Sequence, residues 1–441
     1  MNTSFRPYHP DEPFLLPPDP REWLAEDHLA YFVSDTVDAL DLRAFYAPYE
    51  GDGRRKQPYD PTMMLKVLIY GYATGTFSSR KLASKLHEDV AFRVLGAGNF
   101  PAHRTISEFR KRHLVDFEAV FVQVVRIARE VGLMRLGIVG IDGSKVKANA
   151  SKHKAMSYDR MQEEQKRLRR EIRALTQQAE KIDAQEDRQF GRDRTGTELP
   201  EEIARRRDRL ATIRAAKARL EERQREADRA EGRSGEDDEK RGPGGGRSRK
   251  RAFGEPEAKA QENFTDPDSR IMKAGGGFEQ CYNAQIAVDG TSRLIVANGV
   301  TQSAADSRQL EPMLDGIRRN TKQTPEKVLA DAGYASEENL RSLRRRGIDG
   351  YVAQGRGEKV GERVPSSPHR KKMYEKLKTK RGRAVYRKRK HIAEPPFGWI
   401  KSVLGFRSFS LRGFAKVVAE WNLVCLALNV RRMNAQMVWA R

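Results

Sequence analysis

Cysteine, long apolar runs and a secretory leader are scarce or missing in this sequence of 441 residues. Its two cysteines, Cys281 and Cys425, stand far apart and have no Cys or His neighbours at metal-ligand spacing, which disfavours a disulfide framework and a zinc site. No window of about 18 apolar residues occurs, so we expect no membrane-spanning helix. Residues 1–20 contain acids and prolines without an apolar run, unlike a secretory leader. We therefore expect a cytoplasmic protein.

Acidic residues are fewer than basic ones. Lys and Arg total 84 against 61 Asp and Glu, which gives a formal net charge of +23. A chain this basic favours a polyanionic partner, most simply nucleic acid. Hydrophobic residues make up 38% of the chain, a low share that predicts at least one solvated or extended stretch.

The first third of the chain predicts helices. A Pro-rich, irregular arm over residues 1–48 contains one short amphipathic helix, and a helical domain follows over residues 49–135. Asp60 and Pro61 are typical of the N-cap and first position of a helix. A plain helical bundle explains this pattern, and so does a helix-turn-helix-like DNA-binding domain. In the second interpretation these bases face phosphates: Arg80, Lys81, Arg104, Arg110, Lys111 and Arg112.

A charged segment over residues 155–262 interrupts the chain. Met161, Leu168 and Leu175 recur every seven residues, and a second such series begins at Ile203. The two series predict a helical hairpin of coiled-coil type. It is either a solvated spacer or a surface for DNA contact or dimerisation. The Gly-rich and charged tail of this segment, residues 232–251, is predicted to be disordered.

Two acids follow short apolar strands. Asp142 ends the run from Leu136, and Asp331 ends the run from Lys327. Each alone is most simply a turn residue. Together, at one sheet edge, they would form a carboxylate site of the kind that Mg²⁺ prefers. Glu394 is the best third acid because it opens a helix, with Lys401 seven residues later. The rival acids are Asp306, Asp349 and Glu420.

A basic run precedes Glu394. Residues 370–390 contain twelve Lys or Arg and one acid. The run is either a solvated tail or a track along the DNA backbone that leads to the carboxylates. Its last bases, Lys388, Arg389 and Lys390, would then lie nearest the site.

The order of strands, helices and acids resembles that of the DDE transposases encoded by bacterial insertion sequences. The resemblance covers most of the chain apart from the hairpin and the extreme N-terminus. The motifs that carry it are residues 57–61, 103–111, 140–145, 265–270, 282–285, 329–334 and 394–398.

This resemblance implies an RNase H-like catalytic domain over residues 136–154 and 263–441. Its mixed five-stranded sheet with flanking helices would be interrupted by the helical hairpin and preceded by the all-α N-terminal domain. The resemblance also implies that Asp142, Asp331 and Glu394 hold two Mg²⁺ or Mn²⁺ ions. Lys390 and Lys401 keep the spacing from Glu394 of two bases in the family motif, whereas Tyr386 stands one residue too far from Lys390.

The implied activity is that of a transposase. It would bind the inverted repeats of its element and carry out metal-dependent hydrolysis and strand transfer on double-stranded DNA. It would act as a homodimer in the bacterial cytoplasm, associated with the nucleoid. Two alternatives stay open, namely an RNase H-like nuclease without strand transfer and an inactive DNA-binding protein.

Overall fold

A computed structural model describes residues 19–49, 57–190, 198–234, 251–355 and 367–439. Its N-terminal part is helical, as predicted. The predicted N-cap is present, because the Asp60 carboxylate accepts a hydrogen bond from the Met63 amide at 3.0 Å. The helices are α1 (Leu29–Asp38), α2 (Arg43–Tyr46), α3 (Pro61–Ala73), α4 (Ser79–Glu88), α5 (Val90–Gly96), α6 (His103–Arg112) and α7 (Asp116–Glu130).

The arm of residues 1–48 contains a helix, as predicted, and this helix packs with the domain that follows. Helix α1 buries Ala30, Val33 and Val37 in the same core as the helices that follow. Their spacing of three and four residues places them on one face, so the arm has its own apolar stripe. Residues 1–18 lie outside the described part of the chain.

The second part of the chain is built on a mixed sheet. Its strands are β1 (Ile138–Lys147), β4 (Arg270–Ala274), β5 (Gly277–Asp289), β6 (Ile295–Thr301), β7 (Lys327–Ala330) and β8 (Asp349–Val352). The order is β4-β5-β1-β7-β8, and β6 also pairs with β5. Strand β1 is antiparallel to β5 and parallel to β7, which is in turn parallel to β8. This mixed sheet with flanking helices confirms the predicted fold class.

Among the described residues the sheet has six strands, one more than the five predicted. The addition is β4, which pairs with the first residues of β5 through Arg270 opposite Cys281. Its sequence, Arg-Ile-Met-Lys-Ala, is short and mixed, and only Met272 is buried among its apolar side chains. A strand that contributes one buried side chain gives little periodic signal.

The insertion is a helical hairpin, as predicted. Helices α8 (Tyr158–Phe190) and α9 (Glu198–Ala230) pack through a small core of their own that contains Met161, Leu168 and Leu210. At its base, β2 (Ala155–Ser157) pairs with β3 (Gln261–Asn263). Most of the tail predicted to be disordered, residues 235–250, lies outside the described residues.

The last third of the chain is again helical, with each helix after a strand or a short turn. The helices are α10 (Leu310–Thr321), α11 (Glu337–Arg345), α12 (Pro368–Lys378), α13 (Lys380–Ile392), α14 (Glu394–Gly398) and α15 (Phe414–Trp439). One π-helical turn, Trp399–Val403, follows α14. No described helix is both long enough and apolar enough to cross a membrane.

The N-terminal helices and the sheet share one hydrophobic core. Helix α15 is buried almost along its length and packs against α3 and α7 on one side and β6 on another. Because the middle of α15 is buried on all sides, it is the central element between the two parts.

Candidate active site

The first two predicted acids lie side by side at one edge of the sheet. Ile141 of β1 is paired with Ala330 of β7 in a parallel register, so Asp142 and Asp331 are the next residues along these two strands. Strand β7 ends before Asp331, but β1 continues to Lys147, so the prediction that Asp142 ends its strand is wrong.

The Asp331 Oδ1 also serves the turn after β7, where it accepts a hydrogen bond from the Gly333 amide at 2.8 Å. Asp142 has no such turn, because it lies within β1 opposite Ile286. Its Oδ1 accepts a hydrogen bond from the Gly143 amide at 3.0 Å.

A close helix–strand approach brings the third acid to the same place. A Cβ added to Gly140 of β1 would meet the Ile392 side chain at 2.9 Å and the Ala393 Cβ at 3.2 Å. The junction between α13 and α14 therefore packs directly on β1, two residues before Asp142. Glu394 is the first residue of α14 and lies at this junction.

Arg389 joins the carboxylates. Its Nη2 donates to the Glu394 Oε1 at 2.9 Å, and its Nη1 lies 3.7 Å from the Asp142 Oδ2. Burial acts to lower the pKa of Arg389, but the neighbouring Tyr386, Asp142 and Glu394 raise it above its usual value. Arg389 thus remains a cation between two acids.

The assignment of Lys390 to the family's arginine position is corrected by this geometry. Lys390 is exposed, whereas Arg389 is the base that contacts the acids. Tyr386 is half-buried beside Arg389, three residues earlier and one helical turn away. The tyrosine and arginine therefore keep the motif spacing after all, and the extra residue falls between Arg389 and Glu394.

The acids are close enough to influence one another. Burial raises the pKa of Asp142 from 3.8 to about 6, and the charges of Asp331 and Glu394 add to this while Arg389 opposes it. Burial also raises the pKa of Tyr334, and the carboxylates of Asp306, Asp142 and Asp331 raise it further. The edge of the sheet is therefore a concentration of negative charge.

Asp306 belongs to the site although its position in sequence argued against it. Its Oδ1 accepts hydrogen bonds from Asn283 at 2.6 Å and from Gln285 at 2.8 Å, and Lys145 Nζ lies 3.3 Å away. The Tyr334 hydroxyl donates to the other end of the Gln285 amide. This polar network joins β1, β5 and the turn after Asp331. Sequence reasoning missed it, although residues 282–285 and 329–334 stood among the quoted motifs.

Lys401 lies at the far end of the same strand. Its Nζ donates to the Ser144 Oγ at 2.5 Å and to the Lys145 carbonyl at 3.2 Å. Burial lowers the pKa of Lys401, and Asp142 is near enough to act in the opposite direction. The structure thus brings Lys401 to the carboxylate edge.

The donor set suits a hard divalent cation. The carboxylates of Asp142, Asp331 and Glu394 carry oxygen atoms of the kind that such a cation prefers. Burial raises the pKa of Asp142, and the charges of Asp331 and Glu394 raise it further. Within the described ranges, no three acid, His or Cys side chains are grouped closely enough to hold a metal. The Glu394 carboxylate contacts Arg389 instead.

The other two rival acids lie elsewhere. Asp349 is the first residue of β8, at the opposite strand end, and its carboxylate contacts Lys376 and the Tyr351 hydroxyl. Glu420 is fully buried in α15, where it accepts hydrogen bonds from the Ser410 and Leu411 amides. Glu420 therefore has the structural role predicted for it.

The N-terminal bases divide into exposed and buried side chains. Arg80, Lys81, Arg104 and Lys111 are exposed, and Arg112 is half-buried with its guanidinium 5.1 Å from the centre of the Tyr49 ring. Arg110 is a correction, because it is only 4% exposed. Its Nη1 donates to the Tyr72 hydroxyl at 3.0 Å and to the Phe77 carbonyl at 2.9 Å, so it faces the core and not a phosphate.

Comparison with known families gives two matches along the chain. A profile described as "Transposase domain (DUF772)" matches residues 18–112, and one described as "Transposase DDE domain" matches residues 249–430. The second match contains Asp331 and Glu394. Asp142 lies between the two, and reaches the site because β1 pairs with β5 and β7 inside the matched region. No curated protein and no solved structure matches the chain.

Proposed function

Because the chain belongs to the DDE transposases of insertion sequences, we propose that it binds the terminal inverted repeats of its element, cleaves DNA there and joins the freed ends to a target. Hydrolysis of one phosphodiester releases a 3′-OH. That hydroxyl then attacks a target phosphodiester, so that one P–O bond forms as another breaks and no outside energy source is needed. The observation that supports the proposal is the contact of one guanidinium, that of Arg389, with both Asp142 and Glu394. Asp331 follows the strand partner of Ile141.

We propose Asp142, Asp331 and Glu394 as the residues that hold two divalent cations, Mg²⁺ or Mn²⁺. Such ions, when bound, activate the attacking oxygen and stabilise the leaving one. Arg389 contacts both Glu394 and Asp142, and its guanidinium would be free to face a phosphate if cations neutralised these two carboxylates. Lys401, held by Ser144, supplies a second positive charge at the end of β1.

DNA would reach the site along α12 and α13. Both helices carry exposed bases, and α13 ends at the carboxylates. We propose Lys388, Lys390, Arg80, Lys81, Arg104, Lys111 and Arg112 as phosphate contacts, with Arg389 nearest the scissile bond. Two copies of the chain, one for each element end, are the simplest assembly.

A strand-transfer assay tests this function. The full chain would be incubated with Mg²⁺, a duplex that ends in the element's terminal repeat with a free 3′-OH, and a supercoiled plasmid. Joined products are expected. Nicking without joining would instead identify a nuclease, and binding without nicking would identify an inactive DNA-binding protein.

The Asp306 network offers a separate prediction. We expect Asp306→Ala to lower the strand-transfer rate by about 10- to 100-fold, because the amides of Asn283 and Gln285 lose their shared acceptor and β1 is less firmly held. Asp315→Ala, an exposed acid on α10 that pairs with Arg346, is the control. A variant with wild-type rates would show that the network has only a structural role.

A further inference from the structure

We propose that a basic cleft at the amino end of β1 binds a backbone phosphate of the DNA on which the site acts. This inference rests on the proposed function. The cleft is an open cavity of about 600 Å³ between α13, the start of β1 and the turn after β5. Its charged lining residues are Arg135, Arg293, Lys388, His391 and Glu326.

The positive charges of this cleft are not compensated. Arg135 and Lys388 are exposed, and neither forms a hydrogen bond or ion pair with any residue that the structure describes. Arg293 Nη1 is buried without an acceptor, which is costly for a guanidinium. Glu326 does not offset them, because its side chain is 75% exposed and pairs with Lys327 at 3.7 Å. An anion is therefore the missing partner.

A further arginine adds positive charge next to Arg293. Arg432 of α15 donates through Nη1 to the Arg293 carbonyl. Burial lowers the pKa of Arg432 to about 10, and the charge of Arg293 acts in the same direction. Two half-buried guanidinium groups thus lie close together behind the cleft. Bases arranged around a cavity in this way are typical of a phosphate site.

The position of the cleft indicates DNA as the source of the phosphate. The last turn of α13 carries Arg389 on the side of the carboxylates and Lys388 and His391 on the side of the cleft. Ile138, at the cleft, precedes Asp142 by four strand residues, which is about 13 Å. At about 3.4 Å of rise per nucleotide along one strand, this separation is about four nucleotides. A strand with its scissile phosphate at Asp142 can therefore place another phosphate in the cleft.

Salt dependence of DNA binding tests the proposal. The variant Arg135→Gln/Arg293→Gln removes two charges from the cleft and leaves the carboxylates and the phosphate contacts proposed above intact. We expect the slope of log affinity against log salt concentration to fall by about 2 for a 40-bp duplex. Equivalently, the affinity lost between about 50 and 200 mM salt should be about tenfold smaller than in the wild type.

The matched control is Arg318→Gln/Arg341→Gln, which removes the same charge from exposed positions on α10 and α11. Its slope should equal that of the wild type. If the cleft variant keeps the wild-type slope, or if both double variants lose the same amount, the cleft does not bind phosphate. An acidic segment of a second copy would then be the better occupant.

Two further assays identify which DNA is bound. If the cleft variant binds a terminal-repeat duplex more weakly than the wild type, the cleft holds the transposon end. If it binds this duplex normally but captures less plasmid, the cleft holds target DNA. Either result supports the proposal, and unchanged binding in both assays overturns it. The binding slope does not require chemistry. If the wild type fails to join DNA ends, the proposed function is contradicted. The salt dependence of DNA binding would still test whether the cleft binds phosphate.

Discussion

Replacing Asp142 by Asn is expected to abolish DNA cleavage while making the folded chain more stable. The loss of cleavage should be about 10³-fold, since a neutral amide cannot supply the charge that holds a divalent cation. The side chains have the same size, so the sheet register with β7 is preserved. Asp315→Asn, an exposed acid on α10 paired with Arg346, is the control and should cleave normally.

The gain in stability follows from the pKa of Asp142. Because the pKa rises from 3.8 to about 6 on folding, the folded state holds a proton that the unfolded state releases in this range. Stability therefore falls as pH rises from about 4 to about 6, and the cost at neutral pH is about 3 kcal/mol. Asn avoids it. We expect the variant to unfold at higher urea than the wild type at pH 7.5 in EDTA.

The advantage of the Asn variant should disappear at pH 4, where the wild-type carboxyl is protonated as well. Addition of Mg²⁺ at pH 7.5 should raise the unfolding midpoint of the wild type and leave that of the variant unchanged. Equal midpoints of the two proteins at pH 7.5 would show that Asp142 is not in the charged and buried setting described above.

Replacing Glu420 by Ala is expected to be the most destabilising single change. The Glu420 carboxylate is fully buried and accepts hydrogen bonds from the amides of Ser410 and Leu411. Burial raises its pKa, although these bonds act in the opposite direction. Its removal leaves buried donors without an acceptor and should lower the free energy of unfolding by about 3–5 kcal/mol.

Glu420 also links the two parts of the chain. The Tyr72 hydroxyl of α3 donates to Glu420 at 3.4 Å and accepts from Arg110 of α6. A double-mutant cycle with Tyr72→Phe should therefore show a coupling energy of about 0.5–1 kcal/mol or more. Glu130→Ala, an exposed acid at the end of α7, should change stability by less than about 0.5 kcal/mol. A Glu420 variant as stable as this control would contradict the role described.

The sequence was sufficient to predict the two strand acids. Asp142 and Asp331 each follow an apolar run and precede small residues, and such a pattern depends only on local structure. Parallel pairing of β1 and β7 then places them together without further information. Glu394 is predicted from a different signal, because it opens a helix after the basic run.

The choice between Arg389 and Lys390 needed the fold. Both are bases in one helix, and which of them faces β1 depends on the rotation of α13. That rotation is set where Ile392 and Ala393 meet Gly140, a contact between residues about 250 positions apart. Spacing counted from Glu394 therefore chose the wrong neighbour.

Asp306 and Arg110 show the same limitation in opposite directions. Asp306 lies in a loop, and only the folded β5 supplies the amides that hold it at the site. Arg110 lies in a strongly basic stretch of α6, and only the packed α3 supplies its partner Tyr72. Charge patterns along a helix do not reveal which side chains tertiary contacts will bury.

The hairpin between β1 and β4 also affects the order in which the chain can fold during synthesis. Strand β1 ends at Lys147, and its antiparallel partner begins to pair only at Cys281. At about 5–20 residues per second, roughly 130 residues of translation delay this pairing by about 7–26 seconds. Helices α8 and α9 pack through a core of their own, so they can form before β1 has a partner strand. During this time the edges of β1 remain unpaired. The catalytic edge is therefore among the last parts of the molecule to assemble on the ribosome.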